Sequence, residues 1–156
     1  THGKELSLKL YGARALMSLR LEKNWGAWTL DFRPDFTAAE SGLDIFINWN
    51  KEFVGKKAAL YEKKIGPKKK LVTMSIDTKD IDVTNDEAIL KDNKCVGYVT
   101  SGGYAHHVKK SMALGYVPEK FSKHETILNV EINGKLYSAH VTDRPLYDSN
   151  GEKMRI

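Results

Sequence analysis

Two tryptophans, Trp25 and Trp28, stand close to two arginines, Arg14 and Arg20. An indole offers a flat face for stacking, and a guanidinium offers a fork of donors matched to a carboxylate. Together they suit a flat heterocycle that carries an acidic tail. The same four residues also suit a plainer role, with both tryptophans in a core and both arginines in structural ion pairs. The residue types leave both readings open.

Other reactive side chains are less persuasive. His106 and His107 follow Thr100-Ser101-Gly102-Gly103-Tyr104. Adjacent side chains on an extended segment point to opposite faces, so the two histidines cannot readily share one metal. The glycines either expose backbone amides to an anion or serve a tight connection between strands. Ser101 near His106 lacks an ordering third group and assembles no nucleophile. Asp77, Asp80, Asp82, Asp86 and Glu87 resemble a calcium loop until the spacing is counted: from Asp80 the sixth position is Asn85 and the twelfth Lys91, where an EF-hand needs Gly and Glu. That segment reads as a solvated acidic connection, and no metal site is expected.

The elements that must position these groups follow from periodicity. Residues 13–22 contain neither Gly nor Pro and are rich in Ala, Leu, Met, Arg and Glu, which predicts a helix buried on most sides, with Arg14 and Arg20 exposed or paired. Thr37-Ala38-Ala39-Glu40 has the capping-box spacing of a helix start, ended by Gly42. Leu43, Ile45 and Ile47 alternate with Asp44, Phe46 and Asn48 and predict a strand. Val54, Ala58, Tyr61 and Ile65 make a helical stripe opposite lysines, and Gly66-Pro67 stops it. Beyond Lys70 the period becomes two. Strands are expected around Val72–Ile76, Ala88–Leu90, Cys95–Val99, Met112–Tyr116, Leu128–Ile132 and Leu136–Val141, with Asn133-Gly134 as a hairpin turn. The fold class is therefore α+β, with helices and a strand followed by an antiparallel barrel or sandwich of about six strands.

Composition bounds the rest. The 156 residues are 41% hydrophobic and include one cysteine, Cys95, which excludes an internal disulfide and an all-protein thiolate metal site. Residues 51–70 hold eight lysines against Glu52 and Glu62, so the net charge of +5 is concentrated there. This run lacks arginines, and it reads as a solvated face and linker or as a dock for a polyanion. No nucleic-acid or membrane partner is expected, and a cytoplasmic or, in a eukaryote, mitochondrial matrix location fits. Thr1 is not an initiator Met and no signal-peptide pattern follows it. The expectation is a C-terminal piece of a longer polypeptide, divided at residues 1–66 and 68–156.

Five ordered motifs resemble one family, the folate-binding C-terminal region of dimethylglycine and sarcosine dehydrogenases, related to the glycine cleavage T-protein (aminomethyltransferase). Arg14-Ala15-Leu16-Met17-Ser18-Leu19-Arg20-Leu21-Glu22-Lys23 resembles its RALNSLRLEKG helix, Thr37–Leu43 its TPLEAGL, and Phe53–Leu60 its FIGREAL. Gly97–Tyr104 and Lys110–Val117 are similar to its strands around TSGGYS and KSLALGYV. The resemblance implies tetrahydrofolate as cofactor, with FAD only where an upstream flavin domain exists, and chemistry on one-carbon units from N-methylated amines. It implies that Trp25, three residues after the helix-ending Glu22, lines the folate channel. Arg14 is the nearest match to an arginine beside the folate, although the T-protein has two fewer residues between that arginine and the Glu. Trp28 occupies another usually aromatic position. The family's catalytic Asp and pterin-binding Glu precede the first motif, so no catalytic residue is expected in this chain, and the chain alone is expected to be inactive. Its partners would be folate and the remainder of the same polypeptide. A rival reading is a non-catalytic folate-family binding or assembly module.

Overall fold

The computed structural model describes residues 3–155. Helix α1 (Ala13–Glu22) and helix α2 (Lys56–Ile65) precede six strands: β1 (Lys69–Ile76), β2 (Ala88–Lys91), β3 (Lys94–Ala105), β4 (Lys110–Pro118), β5 (Ile127–Ile132) and β6 (Lys135–Thr142). All neighbours are antiparallel, and the sheet closes on itself in the order β1-β4-β3-β2-β5-β6. Closure leaves no unpaired sheet edge.

The period-two pattern fills the interior. Val72, Met74, Ile76, Ile89, Val99, Ala113, Val117, Leu128, Val130, Ile132, Ala139 and Val141 form one buried cluster, completed by Val83 from the β1–β2 connection. Fully burying each Val, Leu, Ile or Met contributes about 1.5–3 kcal/mol, so this cluster dominates the fold's stability. Two turns set its register. Asp92 and Asn93 (φ 51° and 60°) join β2 to β3, and Asn133 and Gly134 (φ 49° and 75°) join β5 to β6, where Ile132 pairs with Lys135. The positive φ values are those of the primed turns that match strand twist.

Strand β3 is irregular at one point. Val99 pairs with Gly115 and Ser101 with Leu114, so Thr100 is an extra residue in the ladder, a β-bulge. Gly102, within β3, is forced by packing: a Cβ there would fall 2.6 Å from the Val83 carbonyl oxygen. The glycines at 102 and 103 thus lie within a strand and not in a connection. His106 and His107 occupy the four-residue turn between β3 and β4, where the extended geometry expected for them does not hold.

The first 65 residues behave differently. Helix α1 packs on β3 and β4. It buries only Arg20, Leu21 and Glu22, while Leu16 and Leu19 stay exposed, so the helix is covered on one face near its C-terminus and not on most sides. Residues 44–46 form a single 3₁₀ turn where alternation predicted a strand. Nothing in the barrel offers Leu43–Ile47 an edge to pair with, and alternation alone cannot supply one. The capping box is present: Thr37 N donates to Glu40 and Glu40 N to Thr37 Oγ1, both at 3.1 Å, closing one isolated turn. Helix α2 starts two residues later than the stripe predicted, ends at Gly66 (φ 85°), and buries none of its side chains. Of the nineteen large apolar side chains exposed among the described residues, fifteen lie between Leu6 and Ile65. This part of the chain has no core of its own.

Candidate functional site

The loop after α1 carries both tryptophans, and both side chains face solvent, Trp25 51% and Trp28 77% exposed. Neither is core. What is buried is the machinery beneath them. Arg20 and Asp31 form an ion pair, Nη1 to Oδ2 at 2.7 Å, with Asp31 fully buried. The same Nη1 donates to the Trp25 carbonyl at 3.1 Å, and Trp25 N donates to the Arg20 carbonyl at 3.0 Å. Asp31 Oδ2 also accepts from Ala27 N at 2.8 Å.

The barrel supplies the other half of this network. Asp31 Oδ1 accepts from both Thr100 Oγ1 and Ser101 Oγ, the latter at 2.8 Å, and Ser101 Oγ accepts from Arg20 Nη2 at 2.7 Å. In a regular strand, neighbouring side chains point to opposite faces. The bulge at Thr100 turns both hydroxyls toward one carboxylate. Tyr116 Oη completes the set by donating to the Asp31 carbonyl at 2.9 Å, with Ser41 Oγ 2.7 Å away and Phe36 stacked on its ring at 3.5 Å. Burial pushes the Tyr116 phenol above its ordinary value, and the charges of Asp31 and Glu40 push the same way against the Ser41 hydrogen bond.

A second buried carboxylate closes the helix end. Glu22 accepts from His107 N at 2.6 Å and faces His107 Nδ1 at 2.7 Å, while Tyr147 leans on the His107 ring at 4.4 Å. Lys23 reaches Asp148 at 3.1 Å. Among the described residues, no group of three His, Cys, Asp or Glu side chains is placed to hold a metal ion.

The candidate ligand residues lie on α1, for Arg14, and on the loop after it, for Trp25 and Trp28. Arg14 lies at the helix start, exposed, on a cleft of about 660 Å³ shared with Leu21, Val83, Gly102, Tyr104 and His106. Trp28 lines a separate cleft of about 460 Å³ with Phe32, Arg33, Phe36 and Ser41. Arg14 and Trp25 are therefore not gathered around one cavity: eight residues of helix, about 12 Å at 1.5 Å each, separate Arg14 from Glu22. Arg20, in contrast, is paired and structural. Sequence reasoning did not find Asp31 or Thr100 and dismissed Ser101, because the three meet only across about 70 residues of chain.

A closed six-stranded antiparallel barrel, hydrogen-bonded through Thr100 and Ser101 to a buried ion pair between helix α1 and the loop after it, defines a barrel module preceded by a segment with no core of its own. Residues 69–148 match the glycine cleavage T-protein C-terminal barrel domain, and residues 1–51 match the GCVT N-terminal domain. The chain belongs to this T-protein barrel family. It is 38% identical to mitochondrial dimethylglycine dehydrogenase of Homo sapiens over 99% of its length, and 34% identical to an aminomethyltransferase of Picosynechococcus over 87%. It spans 18% of the former and 38% of the latter. Its fold superposes on the glycine cleavage system aminomethyltransferase T of Bartonella henselae with a TM-score of 0.87 and 26% identity, covering 94% of this chain and 42% of that one.

Proposed function

We propose that the chain is the folate-side C-terminal part of a tetrahydrofolate-dependent enzyme that handles one-carbon units from N-methylated amines, of the dimethylglycine or sarcosine dehydrogenase or aminomethyltransferase type. The observation that carries this reading is the pair of solvent-facing tryptophans on a loop tied to helix α1 by the buried Arg20–Asp31 ion pair and to the barrel by the Thr100 and Ser101 hydroxyls on Asp31. An exposed indole held in place is a preorganised stacking surface. Trp25 and Trp28 supply faces for a flat ring, and Arg14 at the far end of α1 is a donor for the acid tail. The donor set thus fits tetrahydrofolate in kind, and the bound cofactor would supply the amine that accepts the one-carbon unit. This chain's residues bind and orient it, and positioning of this sort is a large part of what such a reaction needs.

Residues 1–66 then complete a folate-binding domain and 68–156 form its barrel. The unpartnered apolar side chains between Leu6 and Ile65 support the remainder of the same polypeptide as the partner. An upstream flavin domain would add FAD. The mitochondrial relative favours a matrix location over a cytoplasmic one, and no described helix is long and apolar enough to cross a membrane.

One observation favours the second reading, a non-catalytic binding or assembly module: both fully buried carboxylates, Glu22 and Asp31, are engaged in holding structure. The sequence upstream of Thr1 separates the two, since a dinucleotide-binding glycine motif and the family's acid belong to the enzyme. The experiment is calorimetric titration of a reduced folate into the full-length polypeptide and its Trp25→Ala variant. The expected loss is roughly 1–3 kcal/mol, taking base stacking on aromatics as the guide. Undiminished binding by Trp25→Ala would remove the tryptophan from the site.

A further inference from the structure

The bulge in β3 joins the side chains of the ion pair beneath the aromatic loop to the barrel, and its geometry has a consequence for the ligand surface. Trp25 has both backbone polar atoms bonded to a single residue, Arg20: its N–H to the Arg20 carbonyl and its carbonyl to Arg20 Nη1. The Trp25 carbonyl thus rests on the Arg20 guanidinium and its N–H on the Arg20 backbone. That guanidinium has one terminal nitrogen on Asp31 and the other on Ser101 Oγ. Its Nε finds no partner, so no other hydrogen bond fixes it.

Ser101 has one proton to give, and it gives it to Asp31 while taking one from Arg20. Among the described residues it is the only barrel side chain hydrogen-bonded to both members of the ion pair, and it is 1% exposed. Asp31 in turn holds Ala27 N, and Ala27 O receives Asp31 N and Phe32 N, so the loop from Trp25 to Phe32 closes on the same carboxylate. Without the extra residue at Thr100, the Ser101 side chain would lie on the other face of the strand.

We propose that Ser101 is a positioning residue for the ligand surface, setting Trp25 through Arg20 and Asp31 without touching the ligand. The barrel would then fix the placement of the stacking wall as well as completing the fold. This rests on the reading of Trp25 as a folate contact, and the test separates the two.

The experiment uses the full-length polypeptide labelled with 5-fluorotryptophan, the Trp25 resonance being assigned through Trp25→Phe. Ser101→Ala removes the hydroxyl at nearly constant volume and leaves a guanidinium nitrogen and a carboxylate lone pair unmet. Gly134→Ala, which strains a remote hairpin, serves as the control for lost stability. The Trp25 resonance should shift or broaden in Ser101→Ala and stay in place in Gly134→Ala. Binding of a reduced folate, read by calorimetry, should weaken about tenfold in Ser101→Ala alone. An unmoved Trp25 resonance in a folded Ser101→Ala protein overturns the proposal, as does a resonance that moves as much in Gly134→Ala. Should Trp25→Ala bind folate as tightly as the parent, the ligand reading falls, and the resonance still decides whether Ser101 positions the indole.

Discussion

The Glu22 carboxylate, fully buried at the end of α1, is gripped by one residue of the β3–β4 turn: His107 donates its backbone N–H at 2.6 Å and places Nδ1 at 2.7 Å from the second oxygen. A carboxylate facing Nδ1 fixes that nitrogen as the protonated one in either charge state of the ring. Tyr147 packs on the same imidazole and donates its N–H to the Glu22 carbonyl at 3.3 Å, so the segment after β6 is anchored on the helix end as well. Glu22→Gln presents an amide where two donors converge, and His107→Ala leaves half the carboxylate unmet. Each should lower unfolding free energy by about 1–3 kcal/mol in denaturant titrations. In both variants, proteolysis should reach residues 143–155 faster than in the parent.

The phenol of Tyr116 links three parts of the chain, donating to the Asp31 carbonyl and meeting the Ser41 hydroxyl. Tyr116→Phe keeps the stacking with Phe36 and loses both hydrogen bonds, for an expected cost of about 1–3 kcal/mol. The pH dependence has a definite sign. Burial raises the phenol's folded pKa above its ordinary value of about 10, so the folded state holds that proton more tightly than the unfolded one. Its contribution is complete below pH 10 and is lost as pH rises through the folded value. Stability curves of parent and Tyr116→Phe should converge at alkaline pH, and a constant gap between pH 8 and 11 would contradict this.

The barrel was legible in the sequence because period-two alternation and Asn-Gly turn chemistry are local signals: Val72–Ile76 carries the first, and Leu128–Val141 carries both. The strand expected at Leu43–Ile47 failed for the complementary reason. Alternation records which side chains could share a face, while a strand also needs a partner backbone, and none is offered there. Trp25 and Trp28 could be picked out as a chemically apt pair, yet their exposure could not, since the network that ties down their loop joins Arg20 and Asp31 to Ser101 across about 70 residues of chain. The bulge at Thr100 has no local signature; it shows only once β3 is paired with β4.

Gly97 and Gly134 should respond differently to the same substitution. A Cβ at Gly97, which pairs with Ile89 of β2 beside the end of the β3–β4 ladder, would be driven onto the Tyr116 carbonyl oxygen, whereas one at Gly134 meets open space and carries only the strain of φ 75°. Gly134→Ala should therefore cost about 1–2 kcal/mol, the left-handed penalty of a single residue. Gly97→Ala must displace backbone and should cost more than about 3 kcal/mol, in line with severe overpacking. Thermal melts of the two variants give the order, and equal losses would show that the barrel absorbs a shift at Gly97.

The chain by itself should not turn over. An acid or base able to assist one-carbon transfer needs a carboxylate that is held in place and still free to exchange a proton with the ligand. Glu22 is consumed by His107 and Asp31 by Arg20, Ala27, Thr100 and Ser101, and the remaining acidic side chains of the first 65 residues are at least partly exposed to solvent. In the proposed reading these residues offer a wall, a guanidinium and a brace, which would orient a ligand without transferring a proton to it. Single-turnover mixing of residues 1–156 with tetrahydrofolate and a methylated glycine should yield no methylenetetrahydrofolate, while the full-length polypeptide under the same conditions should. Product from the isolated chain would place the acid among its own residues, with Glu40, whose carboxylate lies beside the Thr37 turn, the first to replace by Gln.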